Sequence, residues 1–228
     1  MSTTLLRTIR ISTQHWRSAV VVPLFSPRGL YEITATTLQP LFHFTNLEHL
    51  CLDIGRGVYI NDKALYDASK SWPKLKTLEF REQTRFPEPG VTFSGLACLA
   101  RLCPLLETVS LRINGLSECD IPIGWAGENL TSLSICMSPI IPESHKAGRM
   151  FAKLFPKLQS VSSSWKTWHW FGYLANSADM TPLEKEYLDR WALINEYLSG
   201  PCRGRDPCVG ASYDLWNPVR DSDDKCTR

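Results

Sequence analysis

The residues most capable of chemistry in this sequence are His49 and Cys51, which stand two positions apart in an apolar segment. A cysteine thiol beside an imidazole can serve as a nucleophile with its general base. On a β-strand, residues two apart share one face without meeting in the geometry of a catalytic triad, and no third orienting group is evident. The pair is therefore more typical of an ordinary strand surface, and we predict no catalytic residue.

Metal and cofactor sites are not predicted either. The five histidines, His15, His43, His49, His145 and His169, show no metal-ligand spacing. The eight cysteines include no C-x-x-C pair, and Cys202 and Cys208 are too far apart for half of a zinc knuckle. Gly55-Arg56-Gly57 lacks the Lys-Ser/Thr ending of a phosphate-binding loop and is typical of a turn that leaves a strand.

Composition narrows the class of protein. Of 228 residues, 43% are hydrophobic and the net charge is +2, which indicates a folded chain without the excess of Lys and Arg expected of a nucleic-acid-binding surface. No apolar stretch is long enough to cross a bilayer. Arg7, Arg10 and Arg17 interrupt the N-terminal apolar residues, so no signal peptide is indicated. We therefore expect a cytoplasmic or nuclear protein with reduced cysteines and neither a membrane nor a nucleic-acid partner.

One six-residue pattern, apolar-x-x-apolar-x-apolar, occurs five times along the chain. The copies are residues 47–52, 75–80, 106–111, 130–135 and, more weakly, 158–163. Their first residues are 28, 31, 24 and 28 positions apart, close to the leucine-rich-repeat period of roughly 20–29 residues. Residues 6–11 are a candidate sixth copy, which needs a loop around residues 23–29.

Between the copies, the apolar spacing changes from two to about three and a half, which predicts helices. The predicted helix faces are Leu65, Ala68 and Trp72; Phe93, Leu96, Leu99 and Cys103; and Ala147, Met150, Phe151 and Leu154. Strand–helix units at this period predict an α/β leucine-rich-repeat solenoid of about five units over residues 1–164, because stacked units share one core. The alternative is a compact α/β domain whose strands are similar by chance.

Two segments resemble a known family. Residues 59–78, which include Ile60-Asn61-Asp62 and Trp72-Pro73-Lys74-Leu75, resemble the I-T-D-x-x-L-x-x-L-a-x-x-C-P-x-L-x-x-L unit of F-box-type leucine-rich-repeat proteins. Residues 99–109 carry its C-P-x-L-x-x-L part, and the Trp-Pro and Phe-Pro dipeptides before the strands are similar to fungal members.

The resemblance covers roughly residues 30–165 and implies the substrate receptor of a cullin-based ubiquitin ligase. Such receptors bind their substrate through the repeats and the cullin adaptor through an N-terminal F-box. Met1 leads almost directly into a candidate repeat instead. We therefore expect this chain not to bind the cullin adaptor directly.

The region from residue 165 to residue 200 is predicted to close the array. It contains an aromatic cluster, Trp165, Trp168, Trp170, Phe171 and Tyr173, for which a cap on the last repeat is favoured over an exposed partner-binding hot spot. A helix follows, with Thr181 as N-cap, Pro182 at its first position and Glu184 completing a capping box. Its apolar stripe is Leu183, Tyr187, Trp191, Ile194 and Leu198. Gly200, which follows the helix, is suited to a left-handed cap conformation. Residues 201–228 are predicted to be a disordered tail.

Alternation along the strands predicts where function lies. The first, fourth and sixth pattern positions face the core, so the intervening residues face the concave side of a solenoid. The predicted protein-binding residues are His49, Cys51, Asp53, Thr77, Glu79, Arg81, Thr108, Ser110 and Arg112. The last two strands present small side chains instead, Ser132, Ser134 and Cys136, then Ser160, Ser162 and Ser164. Two arginines, Arg81 and Arg112, beside the single carboxylate of Glu79 predict a positive spot for an acidic or phosphorylated segment.

These features predict a non-catalytic protein-binding module. Its expected role is substrate recognition in an F-box-type ubiquitin-ligase receptor, and the alternative is a stand-alone leucine-rich-repeat scaffold. A small α/β enzyme with an unrecognised site is the least favoured of the three interpretations. No motif identifies the protein partner.

Overall fold

Six short strands lie side by side in one parallel sheet. The structure, a computed structural model, describes residues 6–12, 33–53, 58–81, 88–116, 124–163 and 181–200. The strands are β1 (Thr8–Ser12), β2 (Ile33–Thr34), β3 (His49–Asp53), β4 (Val58–Tyr59), β5 (Thr77–Phe80), β6 (Thr108–Ser110), β7 (Ser132–Ser134) and β8 (Val161–Ser162). The large sheet has the order β1-β3-β5-β6-β7-β8, and β2 pairs with β4 in a separate parallel sheet. The predicted α/β class is confirmed at this level.

Neighbouring strands of the large sheet pair at equivalent positions of the six-residue pattern. His49 pairs with Thr77, Thr77 with Thr108, and Thr108 with Ser132, all of them third positions of their copies. Residues 6–11 also contribute a strand, because Thr8 of β1 pairs with His49. Since every pair is parallel, the chain must cross over between each strand and the next.

Among the described residues, helices lie in the crossovers β1–β3, β3–β5, β5–β6 and β7–β8 and after the last strand. They are α1 (Ala35–Leu38), a 3-10 helix (Gln39–His43), α2 (Asp62–Ser71), α3 (Phe93–Leu102), α4 (Ser144–Leu154) and α5 (Pro182–Ser199). Two of them begin at side chains that satisfy free backbone N–H groups: Asn61 accepts from Ala64 before α2, and Thr92 accepts from Ser94 before α3. None of the helices in the described ranges has the length and apolar character needed to cross a membrane.

One backbone turn recurs where the chain enters the sheet. The C-caps of α2, α3 and α4 are Trp72, Cys103 and Phe155, each followed by a proline, which disfavours helical backbone in the residue before it. Three residues later, the N–H groups of Leu75, Leu106 and Leu158 donate to the carbonyls of these caps. Leu47 and Leu130 make the same bond to Phe44 and Gly127. Five strands of the large sheet are thus preceded by the same turn.

The sheet and the helices enclose one hydrophobic core. Core-facing pattern positions are fully buried, with Leu47, Leu50, Leu75, Leu78, Val109, Leu130 and Ile135 at 0% exposure. The predicted helix faces belong to the same cluster: Leu65, Ala68, Trp72, Phe93, Leu96, Leu99, Cys103, Ala147, Met150, Phe151 and Leu154. The two periodicities of the sequence therefore predicted the core correctly, because burial of apolar area is the main favourable contribution to folding.

Helix α5 covers the last strand. Its capping box forms as predicted: the Thr181 hydroxyl accepts from the Glu184 N–H at 3.2 Å, and the Thr181 N–H donates to the Glu184 carboxylate at 2.8 Å. Asn195 then bonds the main chain of β8, accepting from the Val161 N–H at 2.6 Å and donating to its carbonyl at 2.9 Å. The side-chain amide of Asn195 thus occupies the edge of β8 where a further strand would pair.

Two details of the predicted C-terminal helix are wrong. Leu183 is 52% exposed, because the buried face of α5 is formed by residues further along, Trp191, Ile194, Tyr197 and Leu198. Gly200 is extended, with φ −81° and ψ 165°, rather than left-handed. Its lack of a side chain serves a close approach instead, since a Cβ atom there would lie 2.8 Å from the Glu196 carbonyl oxygen.

Some predictions concern residues outside the described ranges. The aromatic cluster within residues 165–173, the tail 201–228, Ser164 and the glycine-bearing turn 55–57 all lie there. They remain predictions from the sequence.

Candidate functional site

The candidate site is the side of the large sheet that carries polar residues, here called the polar face. Alternation places three rows of side chains on it, because successive strand residues point to opposite sides. The first row is Thr8, His49, Thr77, Thr108 and Ser132, and the second is Arg10, Cys51, Glu79, Ser110, Ser134 and Ser162. Ser12 and Asp53 begin a third, shorter row, in which Arg81 follows the end of β5. Members of a row lie on neighbouring strands about 4.8 Å apart. Side chains that are far apart in the sequence therefore become immediate neighbours on the sheet.

Glu79 is the centre of the polar face. Its Oε2 atom accepts from the Cys51 thiol at 3.1 Å and from Arg81 through Nε at 3.2 Å, while Arg81 Nη2 lies 3.1 Å away. The Glu79 side chain is 13% exposed, whereas the Arg81 side chain is 52% exposed. The carboxylate is thus shielded by its two partners, and the guanidinium is the part of this cluster that is most accessible to solvent.

Cys51 is held in its protonated form. Burial raises the pKa of the Cys51 thiol to about 11, and the hydrogen bond to Glu79 and the charge of that carboxylate act in the same direction. Arg81 and Arg10 oppose this rise in the pKa but do not cancel it. A protonated thiol is a poor nucleophile at neutral pH, because the thiolate is the reactive species.

His49 has a different partner from Cys51. Its Nδ1 atom lies 3.0 Å from the Thr77 hydroxyl on the adjacent strand, while Cys51 donates to Glu79. Both residues therefore make cross-strand contacts with the neighbouring strand β5.

Arg112 is not exposed on the polar face, where the sequence predicted it. It is 8% exposed, and its Nε atom donates to the Met137 carbonyl at 3.3 Å. The expectation that Arg112 faces a partner beside Arg81 is therefore wrong: the side chain is engaged by the backbone that follows β7. A cavity of about 10 Å³ beside it holds no more than one water molecule, and its lining is Val58, Ile60, Phe80, Pro89, Gly90, Val91, Leu111 and Arg112.

The remaining predicted residues differ in their exposure. Cys51 and Ser110 are buried, at 6% and 7% exposure, whereas Asp53, Thr77 and Thr108 are half-buried. Ser132, Ser160 and Ser162 are exposed, Ser134 is half-buried, and Cys136 is buried with its thiol 3.8 Å from the Ser110 hydroxyl. The accessible part of the predicted site is therefore smaller than the full set of residues.

Arg10 is a residue of the polar face that the strand-by-strand prediction missed. It is exposed, it pairs in register with Cys51, and its positive charge acts on the pKa of that thiol. The signal was present in the sequence, since Arg10 is the fifth position of the candidate sixth copy, as Cys51 and Glu79 are of theirs. Extending the same alternation to residues 6–11 identifies it.

The polar face combines accessible cationic groups with small polar ones. Two exposed guanidinium groups, of Arg10 and Arg81, flank a row of hydroxyl, imidazole and thiol groups held on adjacent strands. Among the described residues, no group of three or more His, Cys, Asp or Glu side chains is arranged to hold a metal ion.

No family model matches the chain, and no curated protein matches it either.

Proposed function

We propose that this chain is a leucine-rich-repeat module that binds an acidic, extended segment of another protein on its polar face. The observation that carries the proposal is the repetition of one backbone arrangement: the same turn precedes five strands, which pair at equivalent positions. Repeating strand–turn–helix units of this kind form an extended, preformed sheet surface, which suits protein binding.

The charge of the accessible groups supports an acidic partner. Arg81 is half exposed and Arg10 is exposed, whereas Glu79 is shielded and Asp53, at the end of β3, is half-buried. A partner approaching this surface therefore meets guanidinium groups before it meets Glu79. Guanidinium groups form bidentate, charge-assisted hydrogen bonds with carboxylates and phosphates, which gives such a surface both affinity and orientation. Arg10 replaces Arg112 in this proposal, since Arg112 is buried.

As the broader role, we propose substrate recognition for a cullin-based ubiquitin ligase in the cytoplasm or the nucleus. The support is the resemblance of residues 59–78 and 99–109 to the repeats of F-box-type proteins, together with a polar face suited to hold a segment of a substrate. A stand-alone scaffold would use the same face without ligase components. An F-box encoded in frame with these repeats would distinguish the receptor from the scaffold.

The binding proposal is tested with labelled peptides rich in Asp, Glu and phosphoserine, beside matched peptides rich in Lys. We expect the acidic peptides to bind and the basic ones not to. Arg10→Glu and Arg81→Glu should each weaken binding at least about tenfold, or about 1.4 kcal/mol. The melting temperature of Arg10→Glu should change little, because exposed positions tolerate substitution within about 0.5 kcal/mol. Arg81→Glu also places a second carboxylate beside Glu79 and should lower the melting temperature, so its binding is measured well below that temperature.

The control is the double variant Lys70→Glu and Lys153→Glu, which changes the net charge by the same amount as both arginine reversals together. Lys70 and Lys153 are exposed residues in the last turns of α2 and α4, away from the polar face. Equal loss of binding in the control and the arginine variants would show that net charge alone attracts the peptides. Normal binding by Arg81→Glu would rule out the polar face as the site.

A further inference from the structure

The two ends of the large sheet differ in how their outer edges are satisfied. At the β8 end, Asn195 bonds both the N–H and the carbonyl of Val161, and α5 buries Trp191 and Ile194 beside it. At the other end, the described residues contain no strand that pairs with the outer edge of β1. Exposed strand edges are templates for further strands, and proteins usually block or cover them.

The outward-facing backbone groups of β1 follow from its pairing with β3. The carbonyl of Arg7 accepts from the N–H groups of Glu48 and His49 at 2.8 and 2.9 Å, so Arg7 directs its backbone towards β3. Successive residues of a strand direct their backbone groups to opposite edges. The N–H and C=O groups of Thr8, Arg10 and Ser12 therefore point away from the sheet, and all three residues are exposed.

The apolar side of β1 is also incompletely covered. Leu6, Ile9 and Ile11 are the first, fourth and sixth residues of their copy, the positions that face the core. The equivalent residues of the copy at 47–52 are at most 4% exposed. Here Leu6 is 40% exposed, Ile11 is 51% exposed and Ile9 is only half-buried. A strand added beside β1 would shield this apolar side and satisfy the outward backbone groups at the same time.

The charges on β1 determine which kind of strand can pair with its outer edge. The segment from Leu6 to Ser12 contains Arg7 and Arg10 and no carboxylate. Arg7, whose side chain is 73% exposed, lies 3.4 Å from the Glu48 carboxylate, and Arg10 is exposed. Like charges on paired strands are destabilising, whereas opposite charges stabilise the pair. A second copy of β1 would bring two further arginines against these two, so self-pairing is disfavoured. An acidic strand is favoured.

We infer that the outer edge of β1 binds an extended partner segment in which acidic residues alternate with apolar ones, and that this segment adds to the sheet as a seventh strand. Its main chain bonds Thr8, Arg10 and Ser12, its apolar residues cover Ile9 and Ile11, and its carboxylates lie beside Arg10. Main-chain bonds supply affinity in this mode of recognition, and the alternate side chains supply specificity. This edge shares Arg10 with the polar face but includes neither Glu79 nor Arg81, so Arg81→Glu tests the two sites separately.

The probe is a labelled nine-residue peptide that alternates Val and Glu, tested on the full chain. Its controls are the Val/Lys peptide and a peptide of the same composition with its Val and Glu residues in separate blocks. We expect only the alternating Val/Glu peptide to slow amide hydrogen exchange at Thr8, Arg10 and Ser12, because an acidic peptide held on the polar face leaves these outward amides unprotected. Arg81→Glu, which weakens binding to the polar face, should leave this protection within about twofold.

Thr8→Pro removes one outward N–H while leaving the bonds between β1 and β3 in place, and it should weaken binding at least about tenfold. Ile11→Glu, at an exposed position, should weaken it comparably through repulsion, which keeps the test decisive if the proline variant folds poorly. Full binding by a folded Thr8→Pro chain, or protection of amides elsewhere, would overturn the inference. Self-association of the unliganded chain that Thr8→Pro abolishes would also overturn it, because a second copy would then occupy the edge.

Discussion

Cys51, Glu79 and Arg81 form a contact set that strand alternation alone could not predict. Alternation correctly placed Cys51 and Glu79 on one side of the sheet, but their 3.1 Å contact depends on the register between β3 and β5. Arg112 was misplaced for a related reason, since its acceptor, the Met137 carbonyl, comes from a segment 25 residues later. Side-chain partners across strands are set by tertiary structure, which a six-residue pattern does not encode.

The contact of Cys51 with Glu79 predicts a pH profile for the thiol. Its pKa is raised from 9.0 to about 11, so the folded chain keeps the proton between pH 9 and 11 while the unfolded chain loses it. The contribution of this group to stability is therefore complete below pH 9 and is lost as the pH rises towards 11. We expect the alkylation rate of Cys51 to rise with a midpoint near pH 11 and Glu79→Gln to lower that midpoint. Peptide mass spectrometry measures the alkylation of Cys51 at each pH. As a control, Glu107→Gln, at an exposed position, should leave the midpoint unchanged. An unchanged midpoint in Glu79→Gln would contradict the contact between Cys51 and Glu79.

Helix α5 shows which features of an element the sequence determines locally. Thr181, Pro182 and Glu184 predicted its first turn correctly, because a capping box is formed by residues three apart. The exposure of Leu183 was not predictable in this way, since it depends on where α4 and β8 end beneath the helix. Asn195 carried no recognisable signal, because a polar residue beside an apolar stripe is also typical of a solvated helix face.

The bonds of Asn195 predict that α5 stabilises the fold through this single side chain as well as through its apolar face. Asn195→Ala leaves the N–H and carbonyl of Val161 without these partners, and each unsatisfied buried group costs about 1–3 kcal/mol. We expect the free energy of unfolding, measured with urea, to fall by about 2 kcal/mol or more, since two groups lose their partners. Glu196→Ala, the next and exposed residue of the same helix, should have little effect. Equal effects of the two substitutions would show that only helix propensity is involved.

At the scale of the whole molecule, the sequence predicted which positions form the core but not how completely each is covered. Ile9, Leu50, Leu78, Val109, Leu133 and Val161 are the fourth positions of the six copies. Five of them are at most 3% exposed, whereas Ile9 is only half-buried. The pattern is the same in each copy. Among the described residues β1 and β8 are both edge strands of the large sheet, but helix α5 covers β8, which explains why Val161 is buried and Ile9 is not.

This difference predicts unequal costs for equivalent substitutions. Leu78→Ala should lower the free energy of unfolding by about 2–5 kcal/mol, because it leaves a cavity in a closely packed core. Ile9→Ala should cost less than half as much, since its side chain is already partly in contact with water. Chemical denaturation of both variants measures the ratio. Equal costs would contradict an open edge at β1.

The recurring turn before the strands has an evolutionary consequence. It depends on backbone bonds and on a residue that is Phe, Trp, Cys or Gly at different crossovers, so its side-chain requirements are loose. The third and fifth positions of each copy contribute nothing to that turn and point to the polar face. Mutations at the exposed ones among them, such as Arg10 and Ser132, can therefore change what the face binds at little cost to the scaffold, and selection can act there on binding separately from folding.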